Sequence, residues 1–136
     1  MTRFRATVVL LLAVLAVQFV AGMIVNLYVA FPDQLPAGSA WAWSFAHTAI
    51  VPLHVALGTV ILVLSLVAIE LAIWAESRAG ALSVGAGFAC VAVAYLAGMW
   101  FLTYGQSALS SLVMALGFIT ACASYTAGLL VTRPDR

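Results

Sequence analysis

Four long apolar runs, at about 6–28, 47–75, 82–104 and 107–131, are separated by one polar and aromatic stretch, 29–46, and by a short charged one around Glu76 and Arg78. Each run reaches or passes the roughly 20 residues that an α-helix needs to cross the hydrocarbon of a bilayer. Because lipid offers no hydrogen bonds to the backbone, runs of this length predict helices. The pattern predicts an all-α, polytopic membrane protein: a four-transmembrane-helix bundle forming a single membrane domain over residues 1–136, with an outer loop at 29–46. The first run is longer than the ~7–15-residue apolar core of a secretory signal peptide. Phe19-Val20-Ala21 is also a poor cleavage site, so this run is read as an uncleaved spanning helix.

Polar and small residues inside the runs recur at helical spacing. At about 100° per residue, His47, Val51, His54, Gly58, Ile61 and Ser65 fall within about 40° of one line, while the other faces are Leu, Val, Ile and Ala. In a bilayer, apolar side chains face the acyl chains and polar or small ones pack against other helices. The stripe, with both histidines, is therefore predicted to look into the bundle. Pro52 is expected to kink this helix between the histidines. The last run carries the matching stripe Gln106, Ser110, Val113, Gly117, Thr120 and Ser124, and Gln18, Gly22 and Asn26 are the interior candidates of the first run.

Two segments recur in order. AGMIVNLY at 21–28 returns as AGMWFLTY at 97–104, and HTAIVPLHVALG at 47–58 returns as QSALSSLVMALG at 106–117. Read as a duplication, the bundle is two parallel two-helix repeats about an axis along the membrane normal, with 29–46 inserted in the first. His47 then inherits the boundary position of Gln106, and His54 lies about 10.5 Å deeper at 1.5 Å per residue. Glutamine and valine stand in the second unit where the first has its histidines.

Composition agrees with the pattern: 66% of the residues are hydrophobic and 7% charged, against roughly 25% charged in soluble domains. The basic residues are five arginines, Arg3, Arg5, Arg78, Arg133 and Arg136, which all fall on one side if the helices alternate. The positive-inside rule makes that side cytoplasmic, with both termini inside and 29–46 outside. No basic patch of nucleic-acid size exists, so nucleic acid is not an expected partner. Within 29–46, Trp41, Trp43 and Phe45 suit the headgroup level, and a short interfacial helix is expected around 39–46. Gly80 is expected to help turn the chain between helices two and three. Cys90 and Cys122 lie inside apolar runs and are read as free, buried thiols.

The chemistry-bearing residues are His47 and His54. In one reading, His47 bonds to water or Asn26 at the interface and His54 is a neutral imidazole bonded to another helix. In the other, His54 is an axial ligand of haem b. Trans ligands of one iron stand about 4 Å apart, so both histidines of one helix cannot serve the same haem. Met23 and Met99 are then the second-ligand candidates, or a histidine of another subunit. No Ser-His-Asp arrangement, carboxylate pair or phosphate loop appears, and Asp33, Glu70, Glu76 and Asp135 are scattered.

The order GMIVNLYVAFP, HTAIVPLHVALG, AGMWFLTYGQSALSSLVMALG resembles a family of small bacterial four-helix membrane proteins, over nearly the whole chain, to which no activity is attached. The chain is more faintly similar to one four-helix half of haem A synthase. That resemblance implies an axial histidine on each of helices two and four; here helix two has His47 and His54, and helix four has none. The expected function is a non-enzymatic accessory or partner-binding component of the membrane, as a homo-oligomer or within a membrane complex. The alternatives are a haem-binding electron carrier using His54, or a small transporter.

Overall fold

Runs of Ala, Leu and Val without interior proline favour uninterrupted helix. In the computed structural model, which describes residues 3–32, 35–36, 38–105 and 107–132, they form α1 (Arg3–Tyr28), α3 (Ile50–Trp74), α4 (Arg78–Tyr104) and α5 (Ala108–Val131). All four are long and apolar enough to cross a membrane, and they make this a multi-pass membrane bundle. The fifth helix, α2 (Ser39–His47), lies in the first connection. Each long helix packs on its neighbours around the ring α1–α3–α4–α5; α4 and α5 share the most extensive contact, and α1 and α5 the least. Leu27, Ile73, Leu82, Leu96 and Leu130 are exposed around the outside, as a lipid-facing surface requires.

Local chemistry sets the boundaries. Helix two does not run from His47 as expected. Thr48 is extended, its N–H and hydroxyl both donate to the Ser44 carbonyl (2.9 and 3.2 Å), and α3 starts at Ile50. His47 therefore closes α2 and stands outside the inward stripe. Pro52 falls in the first turn of α3, where its missing N–H lacks a helical partner anyway, and no longer lies between two histidines of one helix. The turn after α3 is made by Glu76 rather than Gly80. Glu76 takes a left-handed φ of 52°, its N–H donates to Ile73 (2.9 Å), and that of Ser77 donates to Ala72 (3.0 Å). This is a Schellman closure with a non-glycine residue at the left-handed position. Gly80 is instead buried inside the first turn of α4, where its N–H bonds to the capping hydroxyl of Ser77 (3.1 Å). Ser107 caps α5 by the same bond to the Ser110 N–H.

The half of the bundle that holds both termini is closed. Phe4, Val8, Leu11, Leu15, Ile61, Ala68, Ala72, Val84, Ala121 and Tyr125 form one buried cluster. The Tyr125 ring lies flat on Gly87, in the space where any Cβ would stand. Ser65 donates to the Ile61 carbonyl (2.7 Å), so the Tyr125 hydroxyl is the donor in its 2.7 Å bond to Ser65. Arg5 of α1 donates from Nη1 to the carbonyls of Leu129 and Thr132, both at 2.8 Å, and so caps α5 and ties α1 to it.

At the other end, a smaller cluster of Ala40, Val51 and Leu102 fastens α2 over α3 and α4. Gly38, at φ 80°, donates its N–H to the Thr103 carbonyl (2.9 Å), and the Trp41 indole donates to the Thr103 hydroxyl (3.3 Å). Phe31 packs its ring on Trp43 and Phe101.

Candidate functional site

The α2 end of the bundle holds a cavity of about 1030 Å³. Its floor is the upper edge of the closed core, at Leu15, Ile61 and Val91. Phe19 of α1 stacks on Phe118 of α5 at this level, with centroids 4.9 Å apart, and both rings line the cavity. Phe31, Leu35 and Ala40 line its roof. The lining residues that α3 contributes, Val51, His54, Val55 and Ile61, are buried or half-buried. Exposed lining residues lie on α1 (Phe19, Met23, Asn26), on α5 (Ala108, Ala115) and at the adjoining end of the bundle (Pro36, Tyr104). The cavity thus opens between α1 and α5, towards the bilayer and its interface.

His54 lies in the second turn of α3 and turns towards α1. Its Nε2 is 3.3 Å from Nε2 of Gln18; with the amide N–H donating, the imidazole is neutral and carries its proton on Nδ1. Three buried side-chain polar atoms have no partner among the described residues: His54 Nδ1, Gln18 Oε1 and Ser44 Oγ. Two of the three belong to this one pair. Turning the amide over reverses the roles, so either orientation leaves one donor and one acceptor without a bond. Among the described residues nothing meets Nδ1 at hydrogen-bonding geometry.

The ring reaches this position because residue 22 is glycine: a Cβ there would stand 2.9 Å from His54 Cε1. Beside it, Thr59 donates to the Val55 carbonyl (3.0 Å), so the Tyr95 hydroxyl donates to Thr59 (3.1 Å). Gln18, His54 and Tyr95 together form a polar layer in the cavity wall. Among the described residues that line the cavity, none is Asp, Glu, Lys or Arg. Among the described residues no three His, Cys, Asp or Glu side chains gather as a metal set.

The residues singled out in the sequence separate into groups. His54, Gln18, Gly22, Met23 and Met99 meet around the cavity. Gly58 and Gly117 are buried where helices approach closely, Gly58 beneath Tyr95 and Gly117 against Ala94. Ser65 belongs to the closed core, and Ser110 is buried at the start of α5. Asn26 was expected inside the bundle but is exposed on the cavity rim, because α1 has no neighbour on its α5 side at that height. His47 is exposed and away from the cavity; its Nδ1–H donates to the Trp43 carbonyl (2.9 Å) and its ring stacks on Trp43 at 5.2 Å and 12°. Gln106 lies outside the described residues.

On α5 the inward stripe turns after Gly117: Ala121, Tyr125 and Gly128 are buried, whereas Thr120 is exposed and Ser124 half-buried. Sequence reasoning passed over Tyr95, which shares a helical face with Gly98 and Met99. It also passed over Met114, whose Sδ stands 3.3 Å from the Cβ position of Gly98.

No family model, no curated protein and no solved structure matches this chain.

Proposed function

We propose that this chain is a non-enzymatic binding component of the bacterial cytoplasmic membrane, with both termini cytoplasmic and α2 on the outer face. One observation carries this reading: the bundle is sealed in one half and open in the other, and the opening faces lipid between α1 and α5. A cavity of this size is at the upper end of ligand-pocket volumes, roughly 300–1,000 Å³. The orientation rests on the arginines, of which Arg3, Arg5 and Arg78 lie at the closed end. Reporter fusions at residues 36 and 136 check it; an outside signal at residue 136 contradicts it. Native mass spectrometry of the protein released from mild detergent tests the binding role. The expected result is an adduct or an associated chain that Ala115→Trp, at the mouth, removes. A bare monomer contradicts the reading.

A second reading, haem b, is favoured by His54, Met23 and Met99 lining one cavity. The residues fit iron poorly. Gln18 occupies His54 Nε2, and the α1 backbone at Gly22 covers the ring edge between the two nitrogens, so ligation first requires α1 and Gln18 to withdraw. Haem-replete expression is expected to yield protein without a Soret band; a Soret band lost in His54→Ala would restore haem as the ligand.

A further inference from the structure

The chemistry of the cavity wall narrows the class of occupant. Building on the binding role just argued, we propose that the cavity takes a neutral, lipid-soluble molecule with a hydroxyl head, which enters between α1 and α5 and sets that hydroxyl between Gln18 and His54.

Around the Gln18–His54 pair, the described lining residues of α1, α3, α4 and α5 include no Asp, Glu, Lys or Arg, and this selects the charge. An ionised head at this depth would lose its hydration and gain no counter-charge. The position of the opening selects the solubility. The lining residues on α3 are covered, whereas Met23 on α1 and Ala115 on α5, within the membrane-spanning helices, are both lining and exposed, as are Pro36, Gly38, Tyr104 and Gly105 at the α2 end. A molecule already dissolved in the bilayer meets this gap directly.

The polar pair selects the head. Gln18 and His54 share a single N···N bond of 3.3 Å, which leaves Gln18 Oε1 and His54 Nδ1 without partners among the described residues. A hydroxyl can accept from the Gln18 amide and donate to His54 Nε2, which replaces one bond by two. An ether or ester oxygen only accepts, and it would leave the imidazole nitrogen without a donor. A hydroxyl meets the opposite amide orientation equally well with its roles exchanged, because it carries both functions on one atom. Gly22 and Gly58 keep the layer open by adding no side chain against His54, Gln18 or Tyr95.

The test uses the full chain in nanodiscs and a long-chain alcohol with a diazirine in its tail, beside its methyl ether and the ionised fatty acid of equal length. Photolabelling by the alcohol is expected on the cavity-lining residues of α1 and α5, with the ether and the acid about tenfold weaker. Gln18→Leu should bring the alcohol down to the level of the ether. Ala115→Trp, which narrows the mouth without altering the polar pair, should abolish labelling by all three and keeps the test decisive if Gln18→Leu fails to fold.

Equal labelling by alcohol and ether within the cavity overturns hydroxyl recognition and leaves the binding role standing. Stronger labelling by the acid overturns neutrality. Labelling spread evenly over all four helices and indifferent to Ala115→Trp overturns occupation by any lipid-soluble molecule. A cavity closed to every probe and crosslinked to another polypeptide identifies a protein occupant and overturns the proposal as well.

Discussion

The two ends of this bundle use much the same amino acids and pack to opposite outcomes. At the terminal end, Tyr125 lies on Gly87 with no exposure, Leu11 and Val8 are equally covered, and Arg5 bonds α1 to the last carbonyls of α5. At the α2 end the same α1 and α5 stand apart around a cavity. The difference lies in which helix pairs meet through small residues. Gly117 seats against Ala94, where a Cβ would stand 2.8 Å from its methyl carbon, so α4 and α5 approach closely, as small residues allow in membranes. Where α1 and α5 reach the cavity floor they touch through two stacked phenyl rings, Phe19 and Phe118. Helix pairs held apart by rings leave space that loops and lipid must fill.

The contrast breaks most visibly at two glycines. Gly87→Ala would drive a methyl group into the Tyr125 ring, in a core with no room to move, and is expected to cost about 3 kcal/mol. Gly22→Ala meets the tip of His54 beside the cavity, where the ring can swing away, and is expected to cost about 1 kcal/mol. Reversible unfolding in mixed micelles, followed by circular dichroism, measures both. Equal losses would mean that the open half is packed as rigidly as the closed one.

Arg5→Gln should come next, at about 2 kcal/mol, because it removes charge-assisted bonds to two terminal carbonyls. The same unfolding assay reads it, and amide exchange should rise at the end of α5 first. Tyr125→Phe removes one interhelical bond but leaves Ser65 bonded to Ile61; a loss of about 1 kcal/mol is expected, and a loss several times larger would mark the bond as a cornerstone of the core. The smallest effect is a gain. Glu76→Gly relieves the left-handed φ of 52° at the turn after α3 and should stabilise by a little under about 1 kcal/mol. No change would mean that the Glu76 side chain offsets its own strain.

Much of this architecture is legible in the residues, and the exceptions have identifiable causes. The inward stripe of α3 runs as its spacing predicts from Val51 through Gly58 and Ile61 to Ser65, because lipid outside and helices inside reward one face only. His47 fits the same periodicity and still falls elsewhere. A 3.6-residue rhythm in the sequence carries across a break between two helices, and that break comes with Thr48 bonding back to Ser44. Glu76 defeats the expectation of a glycine turn because two backbone bonds hold it in the left-handed region. On α5 the predicted stripe drifts after Gly117, where Tyr125 takes the room above Gly87. For the site, His54, Gln18 and Gly22 were readable as polar and small residues sharing inward faces. The cavity was not, since it arises from the separation of α1 and α5, a relation between helices far apart in sequence. Asn26, polar and in register, looks interior until that separation is known.

The separation itself is the claim on which the rest stands, and disulfide crosslinking along the α1–α5 seam measures it directly. In a Cys90→Ala, Cys122→Ala background, the pair Phe19→Cys with Phe118→Cys sits at the floor and the pair Met23→Cys with Ala115→Cys one turn further towards α2. In nanodiscs under mild oxidation, the first pair is expected to close rapidly and the second to remain open until a bifunctional crosslinker long enough to span the gap is supplied. Equally rapid closure of both pairs would show that α1 and α5 touch along their whole length, and would contradict the open half of the bundle.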